Sequence, residues 1–180
     1  MGRTTARIID EYLVVSAKAG DRLAFAQLVR RWQRKLVAHA WRLTGDHESA
    51  RDAVQAAWVE IVRGLDRLQD ERAFPAWAYR IVSRSCARQI GSAQRRREIT
   101  TVLAREPLAQ EVEESGAIDA NRLRAAIKEL PPEQRAAIAL YSFEELSVAE
   151  VAVALNVPVG TVKTRLMHAR RKLRAALEGE

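Results

Sequence analysis

The sequence predicts an all-α protein built from two small helical domains joined by an acidic linker. Three observations lead there. Apolar residues recur at three- and four-residue spacing along most of the chain, the period of a helix with one buried face. No run alternates apolar and polar residues for long enough to make a strand. Charge divides the chain into three parts: residues 1–97 carry 19 Lys/Arg against 10 Asp/Glu, residues 98–121 one against six, and residues 122–180 ten against seven. The acidic middle, with Pro107, Gly116 and the run Glu111-Val112-Glu113-Glu114, has the composition of a linker. The expected boundaries are therefore 1–97, 98–121 and 122–180, with a short helix around Leu108 and Val112 left open.

In the first domain, Ile8, Ile9, Tyr12 and Leu13 suggest a short helix ending at Ala19-Gly20. Asp21 can cap the next helix, because a side-chain oxygen there accepts from backbone N–H groups that have no partner inside the helix. Phe25, Leu28, Val29, Trp32 and Leu36 hold the helical period, and Gly45 stops it near Leu43. Asp46 caps a third helix with Ala50, Ala53, Val54, Ala57 and Ile61 on its apolar face and Gly64 as its end. A polar loop, Leu65 to Arg72, leads to a fourth helix with Phe74, Trp77, Ala78 and Ile81 inward. In the second domain Leu123, Ala126, Ile127 and Leu130 share a helical face, and Pro131-Pro132 breaks the chain and starts another helix through Ala137, Leu140 and Tyr141.

The last stretch is the most informative. Ser147 and Glu150 form an S-x-x-E capping box, followed by the stripe Val148, Val151, Ala152 and Leu155. Asn156 suits a left-handed turn, and Pro158 allows a new helix to begin. In that helix Val162, Leu166, Ala169 and Leu173 share a buried face, while Thr164, Met167, His168 and Arg171 lie opposite, flanked by Thr161, Lys163 and Arg174. From Val159 to Leu177 there are six Lys or Arg and no acid. An apolar underside, hydrogen-bonding groups on top and positive charge toward phosphates are what a major-groove recognition helix requires, so the pair reads as a helix-turn-helix.

A formal charge of +7 and a pI near 10.2 point to an anionic partner. One cysteine, Cys86, excludes an internal disulfide and any multi-cysteine zinc site, and its helical position reads as that of a small buried or half-buried residue. His39, His47 and His168 do not stand at metal-ligand spacing, and His39 and His47 read as surface or half-buried residues. No Gly-rich phosphate loop, H-E-x-x-H pair or G-x-S-x-G elbow occurs. The expectation is a protein that is not an enzyme and needs no catalytic residue, metal or cofactor. Early charges, including Asp10-Glu11, interrupt the N-terminus, so no signal peptide or membrane insertion is expected and the location is expected to be cytoplasmic.

Three motifs, in order, carry a family resemblance. Ala50-Arg51-Asp52-Ala53-Val54-Gln55-Ala56-Ala57-Trp58 is similar to A-E-D-L-V-Q-E-x-F. Phe74-Pro75-Ala76-Trp77-Ala78-Tyr79-Arg80-Ile81 is similar to F-x-x-W-L-Y-R-I. The segment from Leu155 to Arg170 is similar to L-G-V-P-x-G-T-V-K-S-R-L-x-R-A-R. These are motifs of the extracytoplasmic-function sigma factors of bacteria, and the resemblance spans nearly the whole chain. It implies a two-domain initiation factor that binds core RNA polymerase and directs it to promoter DNA, with an anti-sigma factor as a further partner. The first domain (region 2) would open and read the −10 element, and the second (region 4) the −35 element.

By resemblance, Lys163, Thr164, Met167 and His168 face −35 base edges, Thr161 flanks them, and Arg165, Arg170 and Arg171 lie near phosphates. Leu65, Asp66, Arg67, Leu68, Gln69 and Asp70 fall in the −10 specificity loop. Trp77, Tyr79, Arg80, Arg84 and Arg88 supply aromatics and cations for strand separation; among these Trp77 has the period of a core residue, which favours Arg80 and Arg84 as contacts. Asp52 and Gln55, with Glu60, match the polymerase-binding surface. The chain departs from the pattern at four places: Arg51 and Ala56 replace two glutamates, and Glu145 and Asn156 replace two glycines. A promoter spacer of roughly 17 base pairs spans about 58 Å. A 24-residue linker reaches up to roughly 80 Å when extended, so both elements are within span. The competing readings are a helix-turn-helix regulator without sigma activity and a helical protein whose basic faces hold an acidic partner. The first would place such a motif behind an α/β receiver domain, and no strand pattern precedes it here.

Overall fold

Asp21 opens the first long helix as its side chain requires: its Oδ1 accepts from the backbone N–H of Leu23 at 2.8 Å and of Ala24 at 3.1 Å. The computed structural model describes residues 5–100 and 118–178, and every regular element among them is helical. The first module comprises α1 (Thr5–Lys18), α2 (Arg22–Thr44), α3 (His47–Gly64) and α4 (Phe74–Thr100), with short 3-10 turns at Leu65–Arg67 and Glu71–Ala73. The second comprises α5 (Ile118–Lys128), α6 (Pro132–Ile138), a π-turn at Ala139–Phe143, α7 (Val148–Leu155) and α8 (Val159–Glu178). Residues 101–117, the body of the expected linker and the segment around Leu108 and Val112, lie outside the described residues. The helices α4 and α5 extend into the expected linker from either side.

Local chemistry sets the boundaries. Gly45 ends α2 in the left-handed region (φ +73°), returning its N–H to the Trp41 carbonyl at 2.7 Å. Asp46 Oδ2 then accepts from Ser49 N at 2.7 Å and starts α3. The five expected α3 residues, Ala50, Ala53, Val54, Ala57 and Ile61, are all fully buried, and three of them are alanines that let α2 and α4 approach closely. At Gly64 a Cβ would stand 3.0 Å from the Trp77 ring, so glycine there serves close packing as well as helix termination. Trp32 of α2 meets Phe74 and Tyr79 of α4 edge-on, with ring centroids 5.3 and 5.7 Å away.

Two expectations change. The helix α1 forms, but Ile8, Ile9 and Tyr12 are exposed and its buried residues are Asp10, Leu13 and Val14. Asp10 is tolerated there because Arg31 Nε donates to its carboxylate at 2.8 Å. His39, expected at or near the surface, is fully buried among the aromatics, 5.0 Å from the Tyr79 ring, with its Nε2 2.9 Å from the Ser83 hydroxyl. Burial, helped by the nearby Arg42 charge, lowers its pKa to about 3, so the ring is neutral. Cys86 is buried as expected, and burial pushes its thiol up to about 12.

The sequence left the relative placement of the two modules open. In the structure they touch: α7 packs on α4 and α6 on α2, and the buried residues of both halves form one continuous apolar cluster.

Candidate nucleic-acid interface

The helix-turn-helix follows from its capping and turn residues. The Ser147 hydroxyl accepts from Glu150 N at 3.2 Å while the Glu150 carboxylate accepts from Ser147 N at 2.8 Å, the reciprocal pair that starts α7. Asn156 turns the chain at φ +54°, and α8 begins two residues later. Val162, Leu166 and Ala169 bury one side of α8, with Leu173 partly buried behind them.

That burial fixes what the other side presents. Lys163, Thr164, Met167, Arg170 and Arg171 are exposed, and Thr161, Arg165 and His168 are half-buried. The structure thus brings all eight residues expected for −35 contact onto one accessible helix. Met167, 58% exposed, is an apolar side chain offered to solvent on a cationic face. The Thr164 hydroxyl donates to the Gly160 carbonyl at 3.1 Å, which leaves its lone pairs outward. Arg171 Nη2 lies 3.3 Å from His168 Nδ1, and the guanidinium can only donate in that contact. Arg170 covers the Tyr141 ring at 5.1 Å. The cations and apolar groups of this face line a shared groove with Tyr141 and Val148.

The loop after α3 divides its residues by role. Leu65 and Leu68 are 4% and 9% exposed and anchor it in the core, whereas Asp66, Arg67, Gln69 and Asp70 are exposed. The two leucines, expected among the −10 contacts, have their side chains packed into the core beneath the loop. Lys18, which the sequence did not single out, straps the loop down by donating to the Leu68 carbonyl at 2.6 Å and the Glu71 carboxylate at 2.7 Å. That contact holds the Glu71 carboxyl below its ordinary range. Nothing in the sequence around Lys18 reveals this role, because the contact joins residues 53 apart.

On α4, Arg80 and Arg84 are exposed, Trp77, given the period of a core residue, is half-buried against the core, and Tyr79 is 1% exposed with its hydroxyl donating to Glu144 of the second module. Arg84 is ion-paired with Glu60, and Arg88 Nη2 lies 3.4 Å from the same carboxylate. Asp52 and Gln55 are exposed on α3, but Glu60 is half-buried and already engaged by these arginines. Arg51 and Gln55 line a groove between α2 and α3 with Arg30, Arg34 and Trp58, so this surface is more basic than the family pattern implied.

Comparison with known proteins agrees with this geometry. The Sigma-70 region 2 family matches residues 28–96, and the Sigma-70, region 4 family matches residues 120–173. The chain is 33% identical to the ECF RNA polymerase sigma factor SigM of Mycobacterium tuberculosis over 91% of this chain and 82% of that protein. It is 31% identical to the ECF RNA polymerase sigma-E factor of Escherichia coli over 93% of both. A solved structure of the sigma factor RpoE in complex with the anti-sigma factor NepR from Bartonella quintana superimposes with a TM-score of 0.74 at 25% identity, covering 86% of this chain and 96% of that one. Two sigma-70 regions in order, on helices of the expected exposure, make this chain a member of the extracytoplasmic-function sigma factors of the bacterial sigma-70 family.

Proposed function

We propose that this protein binds core RNA polymerase and directs it to a class of promoters, gripping each at two points. The observation that carries the proposal is α8: an acid-free first four turns with a buried apolar underside and an accessible face of cations, a hydroxyl, a thioether and an imidazole. In this reading residues 122–180 form region 4 and place Lys163, Thr164, Met167 and His168 against −35 base edges. Arg165, Arg170 and Arg171 position the helix on phosphates, which hold register but carry no sequence information. Each good bidentate base contact contributes about 1–3 kcal/mol of discrimination, so the helix alone supplies limited selectivity.

Residues 1–97 form region 2 in the same reading, with residues 98–121 linking the two. Asp66, Arg67, Gln69 and Asp70 read the −10 element on a loop anchored by Leu65 and Leu68, while Arg80 and Arg84 track the displaced strand. Capturing a base outside the stack costs a few kcal/mol, least where the duplex is already open, so reading and melting belong in one step. Asp52 and Gln55 meet polymerase, with Arg30, Arg34 and Arg51 adding a basic flank that acidic polymerase side chains would complement. The protein acts by binding alone, with no catalytic residue and no metal or cofactor, and works in the cytoplasm where polymerase is. No helix among the described residues is long and apolar enough to cross a membrane. An anti-sigma factor controls it, as supported by the Bartonella relative, whose structure is of such a complex.

The test is reconstitution. Purified protein added to core polymerase should yield promoter-specific transcripts that neither component makes alone. The reading of the chain as a regulator without sigma activity predicts sequence-specific DNA binding without polymerase association, and the region 2 match over residues 28–96 weighs against it.

A further inference from the structure

Two of the polar contacts between the two modules converge on one carboxylate. Glu144 follows the π-turn and its side chain is only 7% exposed. Arg42 Nη1, from the last turns of α2, donates to its Oε1 at 2.5 Å, and the Tyr79 hydroxyl of α4 donates to its Oε2. Phe143 lies against the Arg42 guanidinium, 4.5 Å from ring centroid to carbon. The acceptor belongs to the second module and both donors to the first.

Local backbone preference does not explain this arrangement. On one side of Glu144 the helix widens into a π-turn, and on the other Glu145 sits at φ +55° with a side chain that disfavours that region. Two unfavourable local choices flank one buried acid, so the contact across the seam is what both serve. A second pair repeats the polarity: Arg7 Nη1 of α1 donates to Glu150 Oε1 at 2.7 Å. Arg135 Nη1 of α6 also lies 3.4 Å from the Leu43 carbonyl of α2.

An ion pair at the seam between two modules changes its solvation when they part. Apposed, the carboxylate has two strong donors; separated, it loses both and the carboxylate and guanidinium are left to water. Such a contact adds little net stability but specifies one apposition over others, because any other placement would leave a charge buried without a partner. The apposition has a geometric consequence. A compact chain of this size is about 40 Å across, whereas the two promoter elements lie about 58 Å apart. One closed molecule cannot cover both.

We propose that Glu144, held by Arg42 and Tyr79, is a latch that keeps the two modules in a closed form unable to grip a promoter at two points. The inference rests on the two-module promoter reading above, but its test uses no DNA. Small-angle X-ray scattering and far-UV circular dichroism would be recorded on the full chain for wild type, Glu144→Ala, Arg42→Glu and the double reversal Arg42→Glu/Glu144→Arg. Wild type should show a radius of gyration of about 16 Å. Each single variant should expand by several ångströms with its helicity retained, and the double reversal should contract again. Single variants that stay compact at native helicity overturn the latch, as does a double reversal that stays expanded. Should Glu144→Ala fail to fold, Glu144→Gln keeps the volume, loses the charge and is judged by the same two outcomes. Expansion of the single variants in a protein whose wild type starts no promoter-specific transcripts would support the latch while defeating the promoter reading.

Discussion

Glu145 and Asn156 occupy the left-handed backbone region, at φ +55° and +54°, and are the two non-glycine residues that do so among the described residues. Both stand where the family pattern has glycine. Asparagine is one of the few residues that visits this region readily, whereas glutamate is not. Replacing Glu145 with glycine should therefore stabilise the protein by about 0.5–1 kcal/mol, the relief of strain less the entropy lost in fixing a glycine; a shift in the urea midpoint at constant slope measures it. His39 supplies a second residue-scale test. Its folded-state pKa, lowered to about 3, lies below the unfolded value of 6.5, so the unfolded chain takes up the proton first as pH falls. Stability present above pH 6.5 is lost progressively toward pH 3, and between pH 7.5 and 5.5 the loss from this group is about 1.4 kcal/mol. Denaturant melts at the two pH values should show it, and His39→Phe should flatten that part of the profile. At the interface, His168 presents an imidazole where the family often has arginine. His168→Arg should change −35 preference or its salt dependence in a −35 library selection, and indistinguishable selection would remove His168 from the base-reading set. The burial of His39 was not legible in the sequence, because it depends on Tyr79 and Ser83, forty residues away in the chain. The conformations of Glu145 and Asn156 could be read against the glycine pattern.

At the scale of elements, the helices whose ends carry strong local signals were the legible ones. Asp21, Gly45, Asp46, Ser147 and Asn156 cap or turn the chain where the sequence implied, since capping is satisfied within a few residues and does not depend on tertiary context. The α1 helix shows the limit. Its apolar residues Ile8, Ile9 and Tyr12 mark a helix without marking its buried side, which is decided by Arg31 meeting Asp10 across the bundle. The loop after α3 shows another: its polarity was visible, but which of its residues anchor it depends on the core beneath Leu65 and Leu68 and on the strap from Lys18. For α8 the buried stripe dictates the exposed one, so which side of the helix faces solvent could be read from period, while the −35 roles of its residues came from the family resemblance. The helix then makes a quantitative prediction. Arg170→Ala should weaken −35 binding about equally across sequences and reduce the slope of log affinity against log salt by about one, whereas Lys163→Ala should relax selectivity at a base position. Binding isotherms of the full protein with core polymerase at several salt concentrations distinguish the two.

For the molecule as a whole, composition and charge partition were enough to propose two basic helical modules, and three motifs in order were enough to identify their family. The seam between the modules was not legible. Glu144 stands 102 residues from Arg42 and 65 from Tyr79, and no local pattern announces that they meet. The basic groove at Arg30, Arg34 and Arg51 was likewise invisible until α2 and α3 were set side by side. Two-point promoter reading remains the central claim, and transcription by the reconstituted enzyme tests it most directly. Core polymerase with this protein should initiate at promoters in a way that fails when either the −10 or the −35 element is scrambled and when the spacer between them is lengthened by half a helical turn. Initiation indifferent to the −35 element and the spacer, or DNA binding without any association with core polymerase, would contradict it.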